Sequence, residues 1–446
     1  MLNLKYSNAM DMKELASITA LTPSEIDEGI VDEFGVCYSV DGRRLLRCLN
    51  KENNLLEYYV HEGTEVICDK AFRGCHIVNV VLPDSVTCIG ATAFRESDIE
   101  SIVIPDSVTM IGERAFIYCK KLLSIVLSNA LTEISYSAFI GCSSLSSIVI
   151  PKSVTKISDR AFVDCTNLSS VAIPDSVTII GDNAYSGCSE LKSISIPDSV
   201  THIGKYAFSD CRTLDYIGIS NSLTELSEGF ARNCVSLQSV AIPRWVSLIE
   251  NNAFRGCVNL KSVTMSDSVT SIGWSAFRGC ISLSELVFAD TVETIGNQAF
   301  YDCVSLSSVE LHPSLKVIGE DAFRGCKNLV SVAIPDSVVE IGNGAFCGCS
   351  RLSSVRLSEQ ISMVGAYVFQ CCQSLQSIQL PNSVMEIGIC AFAGCSCLRE
   401  VVLPNSLTVI DACAFADCAN LSSVVLPSSV NYIGEGAFLD CEIINR

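Results

Sequence analysis

Histidine is scarce in this 446-residue chain: there are four, His61, His76, His202 and His312, scattered over distant segments. That scatter leaves no imidazole cluster for a metal centre or for acid–base work. No His-Glu-x-x-His, P-loop or Gly-x-Ser-x-Gly pattern occurs either, so neither an enzyme nor a bound cofactor is expected. Basic residues are also few, 30 against 49 acidic, for a formal net charge of −19. Such a surface repels a phosphate backbone, and nucleic acid is not an expected partner. No stretch reaches 18 apolar residues without interruption, so no membrane insertion is expected. The first residues, Met1 to Met10, hold no apolar run of signal-peptide length,. The expected location is therefore the cytoplasm, with the cell surface, reached by an unrecognised route, as the alternative.

What is abundant is repetition. Hydrophobic residues make up 49% of the chain and charged residues 18%, enough apolar material for a continuous core,. A recurring Ala-Phe pair marks the period. Its second residue falls at Phe72, Phe94 and Phe116, then every 23 residues to Phe438, giving 17 slots with no break in register. Length alone implies two or three domains, but a repeat overrides that expectation. Each slot reads Ile-Pro-Asp-Ser-Val-Thr-x-Ile-Gly-x-x-Ala-Phe-x-Gly/Asp-Cys-x-x-Leu-x-Ser-Ile/Val. The Leu-x-x-Val-x-Ile segment, for example Leu329, Val332 and Ile334, predicts one short strand per repeat, stacked into a parallel sheet. Pro83, Pro105 and Pro174 end such strands. The residue before the column cysteine is Gly or Asp in 13 of 17 slots, which predicts a left-handed turn,. Ala-Phe is expected in a short helical or 3₁₀ turn with the ring pointing inward. The Asp after each Pro, such as Asp84 and Asp106, is expected to cap its own turn.

These columns resemble the BspA-like, treponemal-type class of leucine-rich repeats over about residues 66–446. The resemblance implies a leucine-rich-repeat solenoid, a right-handed superhelix. It also implies kinship with exported adhesins that bind host matrix proteins. Residues 1–65 depart from the repeat. Thr22-Pro23-Ser24-Glu25 is a capping box opening a helix through about Phe34. Val36, Tyr38 and Val40 alternate before the turn signal Asp41-Gly42. A helix plus hairpin capping the first coil is expected, as solenoids require. At the other end the last coil is expected to leave an open edge, available for a dimer contact in place of a monomer.

Sixteen of the 25 cysteines share one column, Cys75, Cys119 and every 23rd residue to Cys441, with Ser97 as the exception. They are expected as a ladder of buried thiols, each with two equivalent neighbours and no unique mate. Of the other nine, Cys347, Cys371, Cys390, Cys397 and Cys413 crowd into residues 346–418. Cys390 and Cys413 lie one repeat apart in a solvent-facing column, and with Cys371 and Cys397 they form the thiol cluster of a weaker alternative: a metal-binding or redox-responsive protein. The pattern holds no Cys-x-x-Cys pair.

The leading expectation is a protein–protein interaction scaffold. Outward-facing strand positions are chiefly Ser170, Ser193, Ser239, Ser262, Ser308 and Ser331, which anchor a partner weakly, so departures from the consensus matter more. Tyr216 replaces such a Ser, Arg244-Trp245 replaces Asp-Ser, and Trp274 enters a polar column. Arg255 and Arg278 belong to an arginine column with Arg232 and Arg324. These six, Tyr216, Arg244, Trp245, Arg255, Trp274 and Arg278, are the candidate contact residues.

Overall fold

The computed structural model describes residues 12–52 and 54–442. Two compact units divide the chain, Met1–Ser220 and Asn221–Arg446, and both repeat the same coil.

The first unit opens with two helices, α1 (Met12–Thr19) and α2 (Pro23–Glu28). The capping box forms as expected: the Thr22 hydroxyl accepts from the Glu25 N–H while Glu25 accepts from the Thr22 N–H at 2.8 Å. The helix, however, stops at Glu28, short of Phe34. Gly29 turns the chain out because a side chain there would collide with Cys37. Three antiparallel strands follow, β1 (Ile30–Val31), β2 (Val36–Tyr38) and β3 (Arg44–Cys48), the last two joined through Gly42 at φ 72°. β3 is also the first rung of the solenoid, pairing parallel with Val66–Ile67. Arg44 ties the layers together: its guanidinium donates to the carbonyls of Ile18 (2.9 Å) and Ala20 (2.7 Å) and pairs with Glu25.

Helix α1 escaped the sequence reading, yet its footprint is written in the repeat. Leu15 packs on Cys37, Leu46, Val66, Cys68 and Cys88. The covered column therefore holds Val66, Cys88 and Met110. Where α1 no longer reaches, the same column turns to Glu133 and Lys156. The non-ladder thiols Cys37, Cys68 and Cys88 are buried because this lid sits on them.

Most coils contribute the expected three-residue strand, such as Ser124–Val126, and a second of two residues, such as Glu133–Ile134; the coil at Ser308 keeps only a single bridge to Ser331 and the coil at 423–425 has no such strand. Both kinds of strand run parallel and in register between paired coils, in several successive short sheets and not in one continuous sheet. The second strand, Thr-x-Ile-Gly, is too short for a visible alternation. The Ala-Phe segment is a run of turns closed by i→i−3 bonds and is not a continuous helix. Its alternate N–H groups donate to the next coil instead, as Phe162 N–H does to Ala184 O at 2.8 Å. Two positions in the run take positive φ. One is the Gly/Asp column, where even Glu96, Tyr118 and Cys371 comply; the other is the column of Arg160, Asn183, Tyr206, Cys390 and Cys413.

Inside, the marker rings stack coil upon coil. Phe116–Phe139 and Phe277–Phe300 both have centroids 5.4 Å apart and nearly parallel planes. At Phe230-Ala231, where the pair is reversed, Phe230 instead meets Phe254 edge-on at 68°.

The recurring small polar columns share a task in many coils, although Ser153, Ser337 and Ser383, in the column of Ser107, make no such bond. A backbone carbonyl has two lone pairs, and one ladder bond uses only one of them. Ser107 Oγ donates to Val86 O (2.6 Å), Thr178 Oγ1 to Thr155 O (3.2 Å) and Cys142 Sγ to Phe116 O (3.1 Å). Ser, Thr and Cys thus each reach one coil back, the thiol to a carbonyl that already accepts from Cys119 N–H. The Asp after Pro behaves differently from expectation: Asp106 accepts from the N–H of Asn129, one coil on, and not from its own turn. Asp336 does the same for Glu359.

Candidate partner-binding surface

The buried ladder cysteines from Cys119 to Cys418 offer no chemistry to solvent. All 25 cysteines are free thiols. Burial pushes Cys119, Cys211 and Cys257 up to about 12 and holds Cys142, Cys280 and Cys303 well above the ordinary thiol range. A thiol that stays protonated neither attacks nor ligates. Among the described residues, no three His, Cys, Asp or Glu side chains come together as metal ligands. The cysteines Cys371, Cys390, Cys397 and Cys413 are not one cluster. Cys390 and Cys413 share a column in adjacent coils and are half-buried. Cys371 and Cys397 are exposed in two other columns.

The six expected contact residues are spread over several faces of the coil. Tyr216 lies in the first unit at the outer position of the Tyr216–Gly218 strand, its hydroxyl lying over Gly218. In the second unit, the Arg244 guanidinium stacks on the Trp245 ring at 4.8 Å, and Trp245 is 57% exposed. Trp274, exposed too, lies beyond the two-residue strands. It stacks over Asn251, whose side chain accepts from its N–H at 2.8 Å. Trp245 precedes the Leu248–Ile249 strand and Trp274 follows the Ser271–Ile272 strand that pairs with it in parallel, so the two tryptophans flank the strand pair from opposite ends. Arg255 and Arg278 sit on the turn ribbon, half-buried. Arg278 lies 4.4 Å over Tyr301, with Arg324 at 6.0 Å.

Sequence reasoning passed over an apolar surface in the first unit. In the three-residue strands the middle residues are buried: Ile102, Ile125 and Ile148 are 3%, 6% and 4% exposed. Over four successive coils the third residues form a β-branched column, Val81, Val103, Val126 and Val149, of which the last three are 62%, 58% and 81% exposed; Ala172, Ser195 and Gly218 follow it. Tyr59 stands one coil before Val81 in the same column, and Tyr216 stands three coils beyond Val149 at the first position of its strand; both are exposed. A trough of about 580 Å³ runs over the column, bounded by Glu57, Asp84 and Pro105. The signal was present in the sequence as Ser-Ile-Val, where other repeats have Ser-Val-Ala, but it looks like an ordinary strand until the outward positions are known.

A second cleft, about 480 Å³, opens where the repeat lengthens from 22 to 23 residues. There Asp98 accepts from Lys121 Nζ (2.9 Å) and pairs with His76 Nδ1 (2.7 Å).

No helix among the described residues is long and apolar enough to cross a membrane. A search of curated proteins finds no match. Solved structures do match. A leucine-rich repeat protein from Bacteroides ovatus is 27% identical, with 92% of this chain and 98% of that one covered and a TM-score of 0.64. The T. pallidum leucine-rich repeat protein is 32% identical over 44% of this chain and 85% of its own, with a TM-score of 0.34. A leucine-rich cell surface protein from Faecalibacterium prausnitzii is 24% identical, covering 91% and 92%, with a TM-score of 0.32. The family model for the BspA type leucine rich repeat region matches residues 47–169, 155–284, 247–354, 270–395 and 316–445. With that match spanning nearly every coil, the chain belongs to the BspA-type leucine-rich repeat family.

Proposed function

We propose that this chain is a non-catalytic scaffold that binds a protein partner on the open face of its three-residue strands. The observation that carries the reading is the exposed column Val103, Val126 and Val149 on successive coils. Stiff β-branched side chains lose little entropy when covered, and contiguous exposed apolar surface marks interaction sites. The partner is cationic: Glu57 and Asp84 bound the trough, Asp106 stands one coil on, and the chain carries a formal net charge of −19,. Tyr216 belongs to this face, and the stacked Arg244–Trp245 pair is a second anchor in the other unit. The reducing interior of a cell suits 25 free thiols, so the cytoplasm is the proposed site of action,.

The test is a photo-crosslinking residue at position 126, irradiated in lysate of the source cells. The expected result is one discrete adduct, competed away by excess unlabelled wild type and not by the variant V103K/V126K/V149K. Equal competition by that variant overturns the assignment.

A further inference from the structure

Independently of partner binding, we propose that Cys390 and Cys413 are a thiol–disulfide exchange site, converted by a small-molecule disulfide into a covalent tie between two successive coils.

The geometry differs from that of the ladder on three counts. First, the two residues are direct neighbours across the coil boundary. Cys390 N–H donates to Ala412 O (3.0 Å) and Phe392 N–H to Ala414 O (2.8 Å), a parallel register that sets 390 opposite 413. Two residues along the same ribbon, the Phe392 and Phe415 rings stack with centroids 5.2 Å apart and planes 5° from parallel. Paired parallel strands hold Cα atoms about 5 Å apart, inside the 4.4–6.8 Å that a disulfide spans. Both residues have the same left-handed backbone, φ 52° and 55°, so their side chains leave the ribbon in the same direction.

Second, each thiol has one possible mate. The same column holds Tyr367 in the preceding coil and Gly436 in the following one. A ladder cysteine, by contrast, has a cysteine on both sides. Third, the pair is reachable. Both thiols are half-buried, whereas the ladder thiols from Cys119 to Cys418 are buried; a ladder thiol such as Cys142 donates to Phe116 O at 3.1 Å, while Cys413 makes a longer bond of 3.8 Å to Glu435 O, one coil on. Gly436 leaves Cys413 open on its outer side: its missing side chain would stand 3.3 Å from the Cys413 sulfur.

The step balances with glutathione disulfide as the oxidant. The Cys413 thiolate attacks one sulfur of the oxidant, forming a mixed disulfide and expelling one glutathione thiolate, which takes up the proton that Cys413 released. The Cys390 thiolate then attacks the Cys413 sulfur, the protein disulfide forms, and a second glutathione leaves. Two protein thiols are oxidised and one small disulfide is reduced. The new bond closes a loop of one coil in the C-terminal unit.

The experiment treats the native, reduced full-length chain with glutathione disulfide, traps remaining thiols by alkylation, and maps peptides by mass spectrometry. The expected product is a Cys390–Cys413 disulfide formed ahead of any other pairing, including the exposed Cys371 with Cys347 or Cys397 and the buried Cys48 with Cys75. In Cys413→Ser, Cys390 should instead carry one glutathione that does not resolve. A second readout requires no variant: limited proteolysis of the oxidised wild type should cut within 391–412 more slowly than the reduced form, and added dithiothreitol should restore the rate. Recovery of Cys390 and Cys413 both free, or both stably glutathionylated in the wild type, overturns the proposal.

Discussion

Cys257 shows what a ladder position asks of its residue: a side chain small enough for the interior that still donates one weak hydrogen bond, here to Ala231 O at 3.1 Å. Cysteine meets both demands, and its burial makes it inert. Alkylation of the native protein should therefore label Cys371, Cys397, Cys390 and Cys413, with Cys441 slower, and reach Cys257 only on unfolding; mass spectrometry of tryptic peptides checks this. Rapid native labelling of Cys257 would refute the buried ladder. Tyr185 makes the converse case. It replaces the column Phe, is fully buried, and its hydroxyl has no partner. An unsatisfied buried hydroxyl costs about 1–3 kcal/mol, so Tyr185→Phe should raise stability by about 1 kcal/mol in denaturant titration. Phe162→Ala, which breaks the ring stack in the neighbouring coil, should lower it by about 3–5 kcal/mol.

Asp98 supplies the pH dependence. Partial burial pushes its carboxyl up, but hydrogen bonds from His76 and Lys121 outweigh that and leave it below the ordinary carboxylate range. A lowered folded value stabilises the protein above the ordinary carboxylate range, and this contribution disappears as pH falls through the folded value. Asp98→Asn should cost a few tenths of a kcal/mol near neutrality, about the worth of a partly exposed pair, and flatten the acid limb of the stability curve.

At the level of elements, legibility followed the length of the signal. The three-residue strands, the capping box at Thr22 and the left-handed Gly/Asp column were all readable, because each has a residue preference with a mechanism. The second left-handed column was not: Arg160, Asn183, Tyr206 and Gln298 share no chemistry, and only ladder hydrogen bonds to the next coil impose their positive φ. The two-residue strands were too short to alternate. Helix α1, only eight residues long, was passed over although Asp11-x-x-Glu14 is a capping-box pattern in the sequence, and its packing rests on contacts around Leu15,. Leu15→Glu should therefore detach α1 and expose Cys68 and Cys88 to alkylation while the distant coils keep their far-ultraviolet dichroism. Continued protection of both thiols would show that the lid does not depend on that contact.

For the molecule as a whole, the period of 23 was enough to establish the fold class, since 17 slots in register admit few alternatives,. The candidate surface was less legible. Rare aromatics drew attention to Trp245 and Trp274, which the coil places at opposite ends of a strand pair. The larger apolar face was hidden in the commonplace residues Val103, Val126 and Val149. Replacing both Trp245 and Trp274 with Ser should weaken partner binding and leave the melting curve nearly unchanged, because both rings are already in solvent; retained affinity would remove the second anchor from the proposal.

The most direct test of the central claim is the equilibrium affinity of the partner captured at position 126 for wild type and for V103K/V126K/V149K, with thermal unfolding of both proteins measured in parallel. Placing three lysines on the open strand face should weaken binding by about 100-fold or more with little change in Tm, as expected when central contacts are lost and a cationic partner is repelled. Affinity within about threefold of wild type would contradict the account, because it would mean that the partner does not use this face.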